Sequence, residues 1–159
     1  LCVTALGDVV PYAADRGINL VFEPLNRYES SFCTRAEEAV QLVDAVGSPA
    51  FGIMLDTFHA NIEERSIADA IERVGERLVY FQAIGSHRGM LGTGHLRWDE
   101  LKGALQRIDY DGPIVIEAIA HHVPLLAELG RIWHPLASSP DELAAEGLRF
   151  LRDLFEPVG

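Results

Sequence analysis

The sequence predicts an α/β fold built on an all-parallel sheet, and three observations carry that reading. Four short apolar runs, at residues 18–22, 51–55, 78–81 and 114–116, recur along the 159-residue chain. None of them alternates apolar with polar residues, so each reads as a strand buried on both faces, as in a parallel sheet covered by helices. Amphipathic stretches of helical length lie between them, and strand-to-helix alternation with right-handed crossovers makes the strands parallel.

Residues 1–16 read as a first helix, ended by Gly17, and the first strand follows. Residues 36–46 place apolar side chains at helical spacing behind Thr34-Arg35-Ala36-Glu37. That tetrad reads as a capping box in which the Thr34 hydroxyl and the Glu37 carboxylate satisfy free amides. Gly47-Ser48-Pro49 ends the helix before the second strand. Residues 62–74 and 98–108 repeat the helical pattern around the third strand, and Tyr110-Asp111-Gly112-Pro113 turns the chain into the fourth. The last helix opens at Ser139-Pro140-Asp141-Glu142, with Pro at the first helical position and Ser and Glu as the capping pair, and runs to about Phe155. No linker, low-complexity segment or close repeat interrupts this order. An open doubly wound sheet is the alternative arrangement, although no Gly-rich dinucleotide fingerprint follows any strand.

Composition narrows the function. With 48% hydrophobic and 23% charged residues the chain has an ordinary globular make-up and the size of one domain. Its formal charge of -11 repels phosphate backbones and anionic lipid, which argues against nucleic acid as a partner. Cys2 and Cys33 cannot build a disulfide framework and lack zinc spacing, which fits a reducing, cytoplasmic location. No apolar stretch approaches the roughly 20 residues that span a bilayer. The first residue is Leu1 rather than Met, and the opening lacks the basic start and apolar centre of a signal peptide, so the chain reads as cut from something longer.

Each apolar run stops at a side-chain oxygen: Phe22 precedes Glu23, Leu55 precedes Asp56, Phe81 precedes Gln82 and Ile116 precedes Glu117. Successive members are one strand-plus-helix unit apart, so they occupy equivalent positions at the carboxyl ends of neighbouring strands, where α/β folds place their sites. A polar strand end taken singly is more often a cap or surface group. Four together point to a site. Three carboxylates forced close without a cation would repel and take up protons, and an all-oxygen set suits a hard ion such as Mn2+ or Mg2+ better than zinc.

A second tier lies just beyond: Glu29 after Glu23, His59 after Asp56 and Arg88 after Gln82. These loop residues face the same side, placed to grip hydroxyls or polarise a carbonyl. His121 and His122 follow Glu117 in an ill-defined loop and are not counted as ligands; nor are His95 and His134. Gly85, Gly89, Gly92 and Gly94 match no phosphate loop, so conformational need explains them. Trp98 and Trp133 are candidates for a sugar face, with packing an equal reading for Trp98.

Three stretches carry a family resemblance: Phe22-Glu23-Pro24-Leu25-Asn26-Arg27-Tyr28-Glu29, Leu55-Asp56-Thr57-Phe58-His59-Ala60-Asn61-Ile62-Glu63-Glu64, and Gly92-Thr93-Gly94-His95 with Trp98. Over nearly its whole length the chain resembles the sugar-phosphate isomerase/epimerase superfamily, and most of all ketose 3-epimerases of the tagatose and psicose type. Those proteins are (β/α)8 barrels holding Mn2+ or Mg2+. The resemblance implies that residues 1–159 are the C-terminal half of such a TIM barrel, from the fourth helix to the eighth, with the N-terminal half absent; a whole barrel takes about 250 residues.

It also implies that Glu23, Asp56, Gln82 and Glu117 are metal ligands. Glu23 and Glu117 match the acid/base pair on opposite faces of the substrate, and Glu29, His59 and Arg88 match substrate-side positions. Gln82 stands where the epimerases carry His, while hydroxypyruvate isomerases resemble this chain there. The implied activity is epimerisation of a ketose, or ketose phosphate, at C3 through an enediolate. The alternatives are a hydroxypyruvate-type or aldose–ketose isomerase, or a sugar dehydratase, on the same scaffold. A DNA-repair nuclease of related fold would need several zinc ions and many basic groups, contrary to the charge and donor set. The whole protein is expected to form a homo-oligomer, and this chain alone is expected to be inactive.

Overall fold

The computed structural model describes residues 1–117, 119, 121 and 123–156. Helix α1 (Cys2–Ala14) leads into β1 (Leu20–Phe22), and α2 (Ala36–Val46) into β2 (Phe51–Asp56). Then come α3 (Thr57–Glu63), α4 (Ile67–Val74), a 3-10 turn at Gly75–Arg77 and β3 (Leu78–Ala83). Helix α5 (Trp98–Arg107), β4 (Ile114–Ile116), α6 (Pro124–Gly130) and α7 (Pro140–Phe155) complete the order.

The strands pair in parallel and in sequence order, β1-β2-β3-β4. The helices form one layer, α1 against α2, α2 against α4, α4 against α5 and α5 against α7. A doubly wound sheet reverses its strand order and carries helices on both faces. The unreversed order therefore decides for the arc of a barrel over the open alternative.

Burial on both faces of every strand is not what the structure has. Ile53, Leu55 and Phe81 are fully buried against the helices, beside Ile71, Val74 and Ala104. On the other face Val21 is exposed, and Met54, Tyr80 and Val115 are half-buried; among the described residues no second layer lies over them. Full burial of a side chain such as Ile71 contributes about 1.5–3 kcal/mol, so the helix-side seam supplies most of the cohesion.

Two helix boundaries also differ from expectation. Arg35, not Thr34, stands at the N-cap of α2, and Glu38 rather than Glu37 closes the turn by accepting from the amides of Thr34 at 2.9 Å and Arg35 at 3.2 Å. Glu64 reaches across to take the Ala36 amide at 2.7 Å, a partner no local pattern reveals. The predicted helix over 62–74 is two helices, because Asp56 caps α3 directly at the strand end and Ser66 starts α4 by accepting from the Asp69 amide at 3.1 Å.

Candidate active site at the strand ends

Asp56 and Gln82 are register partners on β2 and β3, and Gln82 pairs in turn with Val115 of β4. The Glu117 amide donates to the Ala83 carbonyl at 3.1 Å, carrying the pairing one residue past β4. Glu23 follows Phe22, the partner of Ile53. Side chains alternate along a strand, so Glu23, Asp56, Gln82 and Glu117 share the face of Val21, Met54, Tyr80 and Val115, away from the helices. They are staggered diagonally, as tilted strands require.

Asp56 is divided between two tasks. Its Oδ1 accepts from the His59 amide at 2.8 Å and so caps α3. Its Oδ2 is buried with no partner, and so is Oε1 of Gln82; among the described residues these are the two buried side-chain atoms left unpaired. An unsatisfied buried oxygen costs about 1–3 kcal/mol, so two of them on adjacent strand ends call for a ligand. Oxygen donors beside two more carboxylates fit a hard divalent cation.

Electrostatics agree with that fit. Burial first, then the charges of Glu117 and Glu23, push Asp56 up to about 8 against the pull of the helix amides. Burial, Glu117 and Glu29 push Glu23 up to about 7, with Arg88 opposing. Glu117 is raised as well, chiefly by burial. Among the described residues no three His, Cys, Asp or Glu side chains are gathered closely enough to hold an ion. Unneutralised carboxylates repel one another, and the Glu117 charge raises both Glu23 and Asp56 from where it stands.

The second tier is one hydrogen-bonded string. Arg88 donates to Glu29 Oε1 at 2.6 Å, and the same oxygen accepts from Asn26 Nδ2 at 3.1 Å. Asn26 Nδ2 lies 2.8 Å from His59 Nδ1, and His59 Nε2 lies 3.7 Å from Glu23 Oε1. Arg27 locks this loop to α3 through a fork of 2.9 and 3.1 Å on Glu63, and Thr57 Oγ1 pins the start of α3 to the residue after β3 by bonding both backbone groups of Ile84 at 2.7 and 2.8 Å. The expected residues Glu29, His59 and Arg88 thus stand together beside Glu23.

The profile of the Xylose isomerase-like TIM barrel family matches residues 1–154. The chain belongs to that family. It is 40% identical to a ketose 3-epimerase of Arthrobacter globiformis over 94% of this chain and 52% of that protein. The crystal structure of a D-allulose 3-epimerase from Methylomonas sp. in complex with D-allulose superimposes with a TM-score of 0.90 at 37% identity, covering 96% of this chain and 54% of that one. Similarity to the hydroxypyruvate isomerase of Escherichia coli K12 is lower, 29% over 98 residues, or 60% of this chain and 38% of that protein. The chain spans about half the length of the curated relatives it matches.

Within this barrel arc, sequence reasoning missed Asn26, which is 1% exposed and joins His59 to Glu29. Its signal in the sequence was its place in the stretch Phe22-Glu23-Pro24-Leu25-Asn26-Arg27-Tyr28-Glu29 that carries the family resemblance. Helix α6 was missed too. A cavity of about 310 Å3 opens beside Asn26, Glu29, Phe58 and Arg88, bounded by Leu129 and Arg131 at the end of α6. A larger hollow of about 510 Å3 lies at the opposite end of the strands, near Gly52 and Arg77, remote from these groups.

Trp98 packs into the core, edge-on to Phe150 at 5.4 Å, so it lines no sugar face; Trp133 is exposed. His95 bonds Asn61 at 2.9 Å, and His122 lies outside the described residues. Gly85 and Gly92 serve conformation, as expected. A Cβ on Gly85 would sit 2.7 Å from the Gly89 carbonyl oxygen, and Gly92 has φ +78° against the Phe150 ring.

Proposed function

We propose that this chain is the second half of a ketose 3-epimerase barrel and carries its acid/base pair, Glu23 and Glu117, and its metal ligands, Glu23, Asp56, Gln82 and Glu117. The observation that carries the reading is the pair of buried, unpaired oxygens on the partnered ends of β2 and β3, Asp56 Oδ2 and Gln82 Oε1. They support Mn2+ or Mg2+ as the bound ion. Such an ion supplies Lewis-acid stabilisation of developing oxygen charge, worth several kcal/mol.

The chain's own groups do the proton chemistry. One glutamate takes the proton from C3 of the ketose, leaving an enediolate, and the other returns a proton to C3 from the opposite face, inverting it. Each transfer contributes about 10² to 10⁴ in rate. Burial raises both glutamates from their ordinary value, Glu23 to about 7. His59 and Arg88 face the same space as donors to substrate oxygens, and Glu29 holds Arg88 in place. Free Cys2 and Cys33 support a cytoplasmic, reducing setting.

Gln82 favours a second reading, a hydroxypyruvate-type or aldose–ketose isomerase; a dehydratase on this scaffold is a further one. The stronger similarity to ketose 3-epimerases supports the first. We take the whole protein as a homo-oligomer acting on a free or phosphorylated sugar, and this chain alone as inactive. The test is a full-length barrel carrying these residues, incubated with a ketose panel in D2O. Inversion at C3 with one solvent deuterium is the expected result. Deuterium confined to C1 or C2 would mean an isomerase, and no exchange with any sugar would leave only a binding protein.

A further inference from the structure

We propose that Asn26 is a positioning residue that fixes His59 as its Nε2–H tautomer, so that the imidazole meets the substrate space as a neutral hydrogen-bond donor. Two N–H groups converge on His59 Nδ1: the Asn26 main-chain amide at 3.2 Å and Asn26 Nδ2 at 2.8 Å. A nitrogen that faces two donors must present its lone pair, and a neutral imidazole then carries its proton on Nε2.

The orientation of the Asn26 amide is itself determined. Its Oδ1 accepts from the Tyr28 amide at 2.9 Å, while Nδ2 donates its other hydrogen to Glu29 Oε1 at 3.1 Å. Rotating the amide by half a turn would set an oxygen against the Glu29 carboxylate and an N–H against the Tyr28 N–H. Arg88 holds Glu29 at 2.6 Å, so the string Arg88–Glu29–Asn26–His59 transmits one orientation to the imidazole. Asn26 is 1% and His59 4% exposed, so water cannot take over for a misplaced proton. Protonating Nδ1 would leave it opposed to two buried donors. The Nε2–H, 3.7 Å from Glu23 Oε1, is thereby aimed at the strand ends. Its use toward a sugar oxygen rests on the epimerase reading; the tautomer does not.

The experiment is a long-range 1H–15N correlation spectrum of the 15N-histidine-labelled chain at about pH 8, above the ordinary imidazole value. His59 is assigned by the signal lost in His59→Gln. The wild-type chain should show a pyridine-type Nδ1 and a pyrrole-type Nε2. Asn26→Asp removes the side-chain donor and substitutes an acceptor, shifting the tautomer ratio at least tenfold toward Nδ1–H. Asn26→Ala, which buries no charge and keeps only the main-chain donor, should give a mixture and decides the matter where Asn26→Asp does not fold. A protonated Nδ1 in the wild type, or an unchanged tautomer in a folded Asn26 variant, would overturn the proposal. Absence of ketose exchange in the full-length barrel, with the tautomer as stated, would sink the epimerase reading alone.

Discussion

Arg88 and Glu29 meet at 2.6 Å across 59 positions of sequence, and they close the open side of the β1–α2 loop against the β3–α5 loop. The guanidinium carbon also lies 4.1 Å from the centre of the Phe58 ring. Arg88 holds φ +62°, a conformation that costs a non-glycine residue about 1–3 kcal/mol and persists only where its surroundings impose it.

The first prediction follows from that pair. Glu29→Gln removes the charge opposite a side chain that is 9% exposed, but Glu29 itself is 39% exposed, so screening holds the cost to about 1 kcal/mol. Arg88→Lys keeps the charge yet loses the planar stacking on Phe58 and should cost at least as much. Urea unfolding measures both, and an Arg88→Lys midpoint equal to wild type would mean that the stack contributes nothing.

A second prediction concerns pH. For an acid whose pKa is raised on folding, the folded state keeps a proton that the unfolded chain has released. Stability is then full below the unfolded value and falls as pH climbs toward the folded one. With Glu23 raised to about 7 and Asp56 to about 8, the metal-free chain should lose stability steadily from pH 5 to 8. The slope is limited to about 1.4 kcal/mol per pH unit for each group. Asp56→Asn and Glu23→Gln should each flatten it in urea titrations, and a wild-type chain of equal stability at pH 5 and 8 would refute the raised values.

Metal binding gives a third. Mn2+ should raise the unfolding temperature of the chain, more at pH 8 than at pH 6 because bound ligands must be deprotonated. Asp56→Ala and Gln82→Ala should abolish the rise. Gln82→His exchanges a neutral oxygen for a neutral nitrogen and should favour transition metals over Mg2+. Unaltered metal preference in that variant would remove Gln82 from the ligand set.

The fourth addresses proton transfer in the full-length barrel. Glu23→Gln and Glu117→Gln should each lower C3 inversion by about 10² or more, with partial solvent exchange surviving in one of them. Full inversion in either variant would take that residue out of the acid/base pair.

Local rules accounted for much of the molecule. Apolar runs marked all four strands, and the polar residue ending each run placed Glu23, Asp56, Gln82 and Glu117 on one side. Capping chemistry located α7, where Ser139 accepts from the Glu142 amide at 3.1 Å. These features depend on neighbours within a few residues, and so a linear pattern contains them. The amide of Ala36 taken by Glu64 from 28 positions away and the exposure of Val21 do not.

By itself the sequence determined where the four strands and the helices α1, α2, α5 and α7 lie and which side-chain oxygens end the strands, because backbone propensity and hydrophobic period are local properties. Only the tertiary structure decided that the strands run in unreversed order with helices on one face, and that Asn26 stands between His59 and Glu29. Strand order follows from which faces can be buried together. The tautomer of His59 follows from donors 33 residues away in the chain, a distance over which no local pattern carries information.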